Sequence, residues 1–291
     1  MKAQILLGTF GVALAITALP GKAETVTVTA GTTVSVELVQ NVHSSFNTQG
    51  EIIYLRVVDE LSVDGNTVIP QGALVETEVG DAEGTGMIGK SGSITFRPLR
   101  IAAAGGQWVP LDPTNFGDAG EGAGVGMIIV LGMFAKGKPG FVARGTNYRV
   151  TIRRDTEVET DILRPPREVA SADVIIPGSV KSLKTVNMTK SRSGSDIEIE
   201  LNLPSEMMSL VPTGASDIEV ISFIDYVPET PVQSIAVEIN SRRNLLTASF
   251  DWWSIIKYAQ PGDTALTVQF ELTDGRLAQA DLTMQSRWKT N

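Results

Sequence analysis

The chain of 291 residues contains no cysteine and one histidine, and its formal net charge at pH 7 is −9. The missing cysteine excludes disulfides, thiolate nucleophiles and Cys-bound zinc, and the acidic balance argues against a nucleic-acid partner because phosphate binding needs a basic face. Without covalent cross-links the fold must be held by burial of a core, and the chain is long enough for two domains.

The N-terminus has the pattern of a secretory signal peptide. Lys2 gives a positive start, an apolar run extends from Ile5 to Leu19, and small residues follow up to Ala23. The run is shorter than the about 20 residues that a membrane-spanning helix needs. We therefore predict a signal peptide at residues 1–23 and an exported protein, in a bacterial periplasm or associated with the outer membrane.

Residues 24–155 alternate apolar and polar side chains with the period of two that is typical of β-strands. Val36 and Leu38 belong to one such alternation, and residues 63–66 have the composition of a tight turn. We predict a small β-barrel-like domain over residues 24–155, with an apolar, glycine-rich insertion at residues 120–138.

Three glycines stand directly before strand-like segments of similar sequence, at Gly31, Gly72 and Gly145. Glycine adopts backbone conformations that other residues avoid, so we expect a bend of the backbone at each position. We interpret the three segments as strand starts within one closed sheet and not as a solenoid repeat.

The second half of the chain also has a β pattern. Residues 156–171 mix charges with two adjacent prolines and are predicted to be a linker. Residues 172–291 contain about seven short alternating segments, which predict an antiparallel β-sandwich of immunoglobulin-like type. Within them, the segment from Trp252 to Ala259 predicts one short helix that crosses between the sheets. The predicted fold class is therefore all-β, a barrel-like domain followed by a sandwich.

Residues 84–91 match the phosphate-binding pattern GxxxxGKS. That pattern binds phosphate where the loop opens a helix, whose free amides and dipole face the anion. Residues 91–96, which follow, have the composition of a strand. The alternative is a hairpin loop, and we expect no nucleotide.

A glycine-rich loop carries the oxygen-bearing side chains of Asp112, Asn115, Asp118 and Glu121, which are of the type that calcium prefers. Their spacing does not fit the EF-hand pattern, so the alternative is a solvated loop. We predict no bound metal and no cofactor.

Two hypotheses concern chemistry at single residues. His43, beside Ser44, could serve a Ser–His–Asp hydrolase site; its alternative is a polar residue at a strand end. Adjacent tryptophans usually place one ring in the core and one outward, and an outward ring at Trp252 or Trp253, with Tyr258, would stack on a sugar. We expect no catalytic residue.

The most unusual segment is residues 122–135, which contain no polar side chain and are followed by Lys136 and Lys138. As a helix it would be about 21 Å long, short of the ~30 Å hydrocarbon core, so it is not predicted to span a membrane alone. Either it contacts a membrane or packs with copies of itself, or it is a buried connection. The residues predicted to contact a membrane or partner are Val125, Met127, Ile128, Ile129, Val130, Leu131, Met133, Phe134, Lys136 and Lys138.

Several turn-and-strand motifs carry a family resemblance, namely residues 31–36, 68–73, 84–96 and 106–111. With them, residues 30–152 resemble β-barrel domains of bacterial envelope proteins, in particular the outer-membrane-core barrel of type IV secretion and conjugation machines. The resemblance implies a barrel located in the envelope. In that family an inserted helical hairpin reaches the outer membrane, whereas this chain has one short apolar segment.

The sequence thus predicts a non-catalytic, exported envelope protein with a structural or interaction role. Its expected partners are an envelope protein, a membrane surface or further copies of the same chain, which would contact it through residues 122–135. The alternative is a periplasmic or secreted ligand-binding protein or hydrolase that acts on an envelope glycan, with His43 or the tryptophan pair in the site.

Overall fold

The computed structural model describes residues 25–83, 92–113, 129–130, 139–160, 171–181, 186–188, 194–212, 218–224 and 231–289. These residues form antiparallel sheets, including one curled like half of a barrel, with very little helix. The predicted all-β fold class is therefore confirmed. Two separate hydrophobic cores organise the chain, one around residues 25–160 (the N-terminal unit) and one around residues 171–289 (the C-terminal unit).

Thirteen strands are described in the N-terminal unit: β1 (Thr25–Val28), β2 (Thr33–Leu38), β3 (Val42–His43), β4 (Ile52–Val57), β5 (Leu61–Val63), β6 (Asn66–Ile69), β7 (Leu74–Glu83), β8 (Ser93–Ala102), β9 (Trp108–Pro110), β10 (Ile129–Val130), β11 (Phe141–Val142), β12 (Asn147–Thr151) and β13 (Thr156–Glu159).

A seven-stranded antiparallel sheet with the strand order β10-β8-β7-β4-β2-β12 dominates this unit, and β9 pairs with β8 beside β10. The sheet curls, and its two edges are joined where β9 and β12 end. Leu111, just after β9, forms a bridge with Ile152, just after β12. The backbone N–H of Asp112 donates to the carbonyl of Thr151, and that of Arg153 donates to Pro110. This seam gives the unit its predicted barrel-like form.

Three strands of the barrel start from the same kind of turn. Gly31, Gly72 and Gly145 have φ angles of 83°, 78° and 83° and stand just before β2, β7 and β12. In each turn the residue after the glycine donates its N–H to the carbonyl three residues earlier, as in a type II turn, which needs a positive φ at this position. The predicted backbone bends are confirmed.

The predicted linker overlaps the first core. Its first residues form β13, which pairs with β1, and Val158 is buried opposite Val26. Strand pairing and burial therefore extend the N-terminal unit past the predicted boundary at residue 155. Residues 161–170 of the predicted linker lie outside the described residues.

The C-terminal unit contains eleven described strands and two short helices: β14 (Val174–Ile175), β15 (Gly178–Val180), β16 (Val186–Asn187), β17 (Ile197–Asn202), a 3₁₀ helix (Ser205–Leu210), β18 (Val220–Ile224), β19 (Val232–Gln233), β20 (Ala236–Asn240), β21 (Leu245–Phe250), α1 (Trp252–Ile256), β22 (Gly262–Glu271), β23 (Leu277–Ser286) and β24 (Trp288–Lys289).

These strands form two main sheets with the orders β14-β23-β22-β18-β19 and β15-β17-β21-β20. Alternate residues of both sheets, such as Ile199 and Leu201 on β17 and Val268 and Phe270 on β22, are buried in one shared core, which makes a sandwich. The pairs are antiparallel except for β14 with β23 and β16 with β24.

The predicted helix is present as α1, between β21 and β22, which belong to different sheets. Asp251 caps its N-terminus, because the Asp251 carboxylate accepts a hydrogen bond from the backbone N–H of Ser254 at 2.9 Å. Four of its five residues are buried, so the helix forms part of the core and not of the surface.

Candidate functional site at the junction of the two cores

Buried polar residues concentrate in one short segment, the loop around β3. Five of the eleven buried polar residues in the described chain fall between residues 40 and 47: Gln40, Asn41, His43, Ser44 and Asn47. A buried polar side chain is costly unless it is hydrogen-bonded, so such a concentration indicates a built site. We call this loop, together with the residues of both units that contact it, the junction.

Asn41 binds the end of helix α1 from the other unit. Its side-chain amide donates to the carbonyls of Ile256 at 3.0 Å and Ala259 at 2.8 Å, and its backbone N–H donates to the carbonyl of Lys257. Its Oδ1 atom accepts a hydrogen bond of 3.0 Å from the backbone N–H of Arg144. The side-chain amide therefore uses both of its hydrogens and its oxygen.

Arg144 completes the cap of the same helix end. Its guanidinium donates from Nη1 to the carbonyl of Tyr258 at 2.8 Å. Four consecutive carbonyls, those of residues 256–259, thus accept hydrogen bonds from the N-terminal unit. The last carbonyls of a helix lack partners within the helix and carry partial negative charge, so an amide and a cation are suitable donors.

His43 is completely buried between the two units. Its Nε2 atom lies 3.0 Å from the carbonyl oxygen of Met188 in the C-terminal unit, and its Nδ1 atom lies 3.1 Å from the backbone nitrogen of Ser45. A carbonyl only accepts and an N–H only donates, so Nε2 carries the hydrogen and Nδ1 is the acceptor. Burial lowers the pKa of His43 from 6.5 to about 4, against a smaller raising effect of the Met188 hydrogen bond.

Aromatic rings surround the imidazole. The ring of Phe46 stacks on it with centroids 4.4 Å apart, and the rings of Trp253 and Phe141 lie at 6.0 Å and 6.3 Å. Phe46 also contacts Trp252 at 5.5 Å and Trp253 at 4.9 Å. This cluster joins rings from both units and excludes water from the junction.

Both tryptophans are therefore buried, with relative exposures of 5% for Trp252 and 9% for Trp253. The expectation that one ring faces outward is wrong, because the N-terminal unit covers the face of α1 that an isolated sandwich would leave open. Neither ring offers a surface on which a sugar could stack. His43, with both ring nitrogens hydrogen-bonded inside the protein, is likewise not placed to serve a hydrolase site.

Some buried polar atoms of the junction lack a hydrogen-bond partner. Three buried polar atoms, Ser45 Oγ, Asn47 Nδ2 and Trp253 Nε1, have no hydrogen-bond partner among the described residues. Each such atom costs about 1–3 kcal/mol relative to its hydrated state. These three atoms lower the stability that the junction contributes to the fold.

Close backbone contact occurs beside the junction, where Ser44 meets two glycines. The hydroxyl of Ser44 accepts a hydrogen bond of 3.0 Å from the backbone N–H of Gly140. A Cβ atom on Gly92 would lie 2.5 Å from that hydroxyl oxygen and 2.6 Å from the carbonyl oxygen of Glu83. Only glycine fits there, so the chain returns from residues 84–91 and from residues 131–138 at one point of the barrel.

The predicted contact segment is described only in part. The backbone of Ile129 and Val130 forms β10, which pairs with Thr95 and Ile94 at the start of β8. The other residues assigned to this contact lie outside the described residues: Val125, Met127, Ile128, Leu131, Met133, Phe134, Lys136 and Lys138. Their contact with a membrane or partner stays a prediction.

The remaining motifs give no site in the described part of the chain. Residues 84–91 lie outside it, but β8 begins at Ser93, so a strand stands where the phosphate-binding pattern requires a helix. Of the possible calcium ligands only Asp112 is described. No group of three His, Asp or Glu side chains is positioned to hold a metal ion within the described ranges.

Asn41 and Arg144 are the functional residues that sequence patterns miss. The hydrogen bonds of Asn41 span 215 and 218 residues, and no local spacing or motif connects such distant positions. The one available signal is weak, namely a pair of amides, Gln40 and Asn41, shortly after the alternating strand β2.

Comparisons of the chain with known proteins assign it to no family. No family model matches the chain, and no curated protein matches its sequence. One solved structure that it resembles is a Corynebacterium diphtheriae protein described as membrane anchored, with 10% identity and a TM-score of 0.25 over 92% of this chain and 48% of that chain. This chain thus spans about half the length of that structure, and at such a TM-score the likeness supports no statement about function. In the described residues no helix is long and apolar enough to span a membrane.

Proposed function

We propose that this protein is an exported, non-catalytic component of a bacterial envelope, with a structural or interaction role. The proposal rests first on the leader-like residues 1–23 and on the apolar segment 122–135, which is followed by Lys136 and Lys138. In this proposal the apolar segment contacts a membrane surface, an envelope protein or a second copy of the chain, and the lysines favour an anionic headgroup layer.

The observation that carries this role is the attachment of the apolar segment to the barrel. Strand β10, in the middle of the segment, pairs with β8 in the main sheet. The chain then returns through Gly140, which is hydrogen-bonded to Ser44 at the junction. Both attachments support a segment that the barrel presents at a defined position.

The proposed domain organisation is a barrel-like domain followed by an immunoglobulin-like sandwich. The strand orders support it, because a four-stranded sheet β15-β17-β21-β20 faces a sheet whose centre is β23-β22-β18. Immunoglobulin-like domains have the same arrangement, four strands in the order A-B-E-D against G-F-C. The hydrogen bonds of the junction connect the two domains, as suits a structural component.

A flotation experiment tests the membrane or partner contact. The double variant Leu131→Asp and Phe134→Asp places two charges in the apolar segment. We expect the unaltered protein, starting at Glu24, to float with anionic liposomes or to elute as an oligomer that detergent dissociates, and the double variant to do neither.

The matched control places the same charges on apolar residues elsewhere. Ile175 and Ile235 are 63% and 58% exposed in the C-terminal unit, so Ile175→Asp with Ile235→Asp should leave flotation and elution unchanged. If the apolar-segment variant and the unaltered protein partition and elute alike, the contact is rejected. Export is tested separately: Edman sequencing of the processed protein from the periplasmic fraction should begin at Glu24.

A further inference from the structure

We propose that the junction is an acid-sensitive clamp, in which neutral His43 holds the two units together and its protonation separates them while each core stays folded. Among the described residues, His43 is the one titratable side chain that is wholly buried between the units. Its hydrogen bonds join β3 of the first unit to Met188 of the second.

The hydrogen-bond geometry accepts only the neutral imidazole. Nε2 already donates to the Met188 carbonyl, and Nδ1 receives the N–H of Ser45 at 3.1 Å. Protonation adds a hydrogen to Nδ1, which then faces the hydrogen of Ser45. Two donors cannot share this contact, so either the Ser45 hydrogen bond breaks or the ring leaves its site.

The surroundings offer no compensation for a positive charge. On the elements that pack against His43, the cations are Arg144, Lys257, Arg287 and Lys289, and Tyr258 adds a phenol. Two carboxylates of neighbouring segments are engaged elsewhere, Asp251 with Ser254 and Glu51 with the backbone N–H of Thr48. Glu37 lies on the face of β2 opposite to the buried Val36 and Leu38. Among the described residues, no carboxylate hydrogen-bonds to the imidazole.

Aromatic faces attract cations, and Phe46 stacks on the ring, so this attraction must be weighed against burial. One aromatic face offsets only part of the cost of burying an unpaired charge, and His43 is completely buried. The charged imidazole is therefore better hydrated outside the junction than stacked within it.

Separation at the junction leaves both cores intact. The apolar residues of the N-terminal unit that pack on the second core are Val39, Phe46, Tyr54 and Phe141. The barrel core uses none of these side chains. The hydrogen bonds of Asn41 and Arg144 to the end of α1 also join the units, and their donors and acceptors can bind water once the junction opens.

The test compares the full mature chain with His43→Gln, whose amide can donate to Met188 and accept from Ser45 but does not titrate. We expect acidification to reduce the near-UV circular dichroism of the tryptophans and to increase the radius of gyration, with the far-UV β signal retained. The midpoint in the unaltered protein should lie about one pH unit or more above that of His43→Gln. Identical acid profiles for the two proteins would overturn the proposal.

A second measurement does not depend on the folding of the variant. His43 is the only histidine, so one imidazole signal appears in the NMR spectrum and needs no assignment. We expect this signal and the near-UV change to follow the same titration, displaced to acid pH. An imidazole that titrates near its ordinary pKa of about 6.5 without a change at the junction contradicts the clamp.

Discussion

The side-chain amide of Asn41 donates a hydrogen bond of 2.8 Å to the carbonyl of Ala259, which lies 218 residues later in the chain. The same amide also binds Ile256 and Arg144. One buried side chain thus connects the loop after β2, the turn before β12 and the end of α1. Its loss exposes its partners on the turn and on the helix end to the cost of an unsatisfied polar group.

Replacement of Asn41 by alanine should lower the free energy of unfolding by about 2–4 kcal/mol, because two carbonyls and the N–H of Arg144 lose a buried partner. Urea unfolding followed by tryptophan fluorescence measures the change. Asn202 is exposed at the end of β17, so Asn202→Ala is a suitable control with an expected effect within about 0.5 kcal/mol. Equal effects of the two substitutions would show that the amide of Asn41 contributes little.

Gly194→Ala should destabilise the C-terminal unit by about 1–3 kcal/mol through overpacking. A Cβ atom at this position would lie 2.3 Å from Nε1 of Trp252, and the buried indole has no flexible end that can move aside. Thermal unfolding by circular dichroism measures the loss. The neighbouring substitution Ser195→Ala, at an exposed position, should leave the melting temperature unchanged; a melting temperature preserved in Gly194→Ala would contradict the contact.

Trp253→Ala should cost about 3–5 kcal/mol, since it removes a large buried ring from the junction. Trp108 on β9 is 37% exposed and covered on one face by Arg100, so Trp108→Ala should cost only about 1 kcal/mol. Chemical denaturation of both variants gives the comparison. The glycan-binding hypothesis makes the opposite prediction, with stability retained in Trp253→Ala and glycan affinity lost.

The stability of the protein should depend on pH through His43. Its pKa is about 4 in the folded state and 6.5 when solvated, so the unfolded chain takes up the proton first as pH falls. The contribution of neutral His43 is complete above pH ~6.5, decreases as pH falls toward about 4, and is constant below that. Between pH 7 and 4.5 the unaltered protein should lose about 2–3 kcal/mol more than His43→Gln in urea unfolding. Equal losses would mean that the carboxylates alone produce the acid effect.

Alternation with period two predicts most of this fold, because a strand with one face in a core must alternate. The turn at Asp64 and Gly65 is also predictable, since positive φ at both residues, 52° and 83°, suits a tight hairpin. The hairpin that connects β22 and β23 is also predictable, from the turn residues Asp274 and Gly275. In these places local chemistry alone determines the structure.

The junction could not be predicted in this way. An outward ring at Trp252 or Trp253 is a reasonable expectation for a helix on an isolated sandwich, but Phe46 and His43 of the other unit cover that face. Likewise, a lone histidine followed by two serines suggests catalysis until its partner, the carbonyl of Met188, is known. Burial by distant segments depends on how the two units contact each other. The period of the apolar alternation and the composition do not predict that contact.

The pairing of β1 with β13 and the seam between Leu111 and Ile152 have a consequence for how the chain acquires its structure. Strand β1 can pair only when residues 156–159, which form β13, are present. The curled sheet likewise closes only when Ile152 is present. Such distant pairings slow folding, because a large loop must close before they form. The barrel of a polypeptide connected in this manner closes only after the first half of the chain has been synthesised completely.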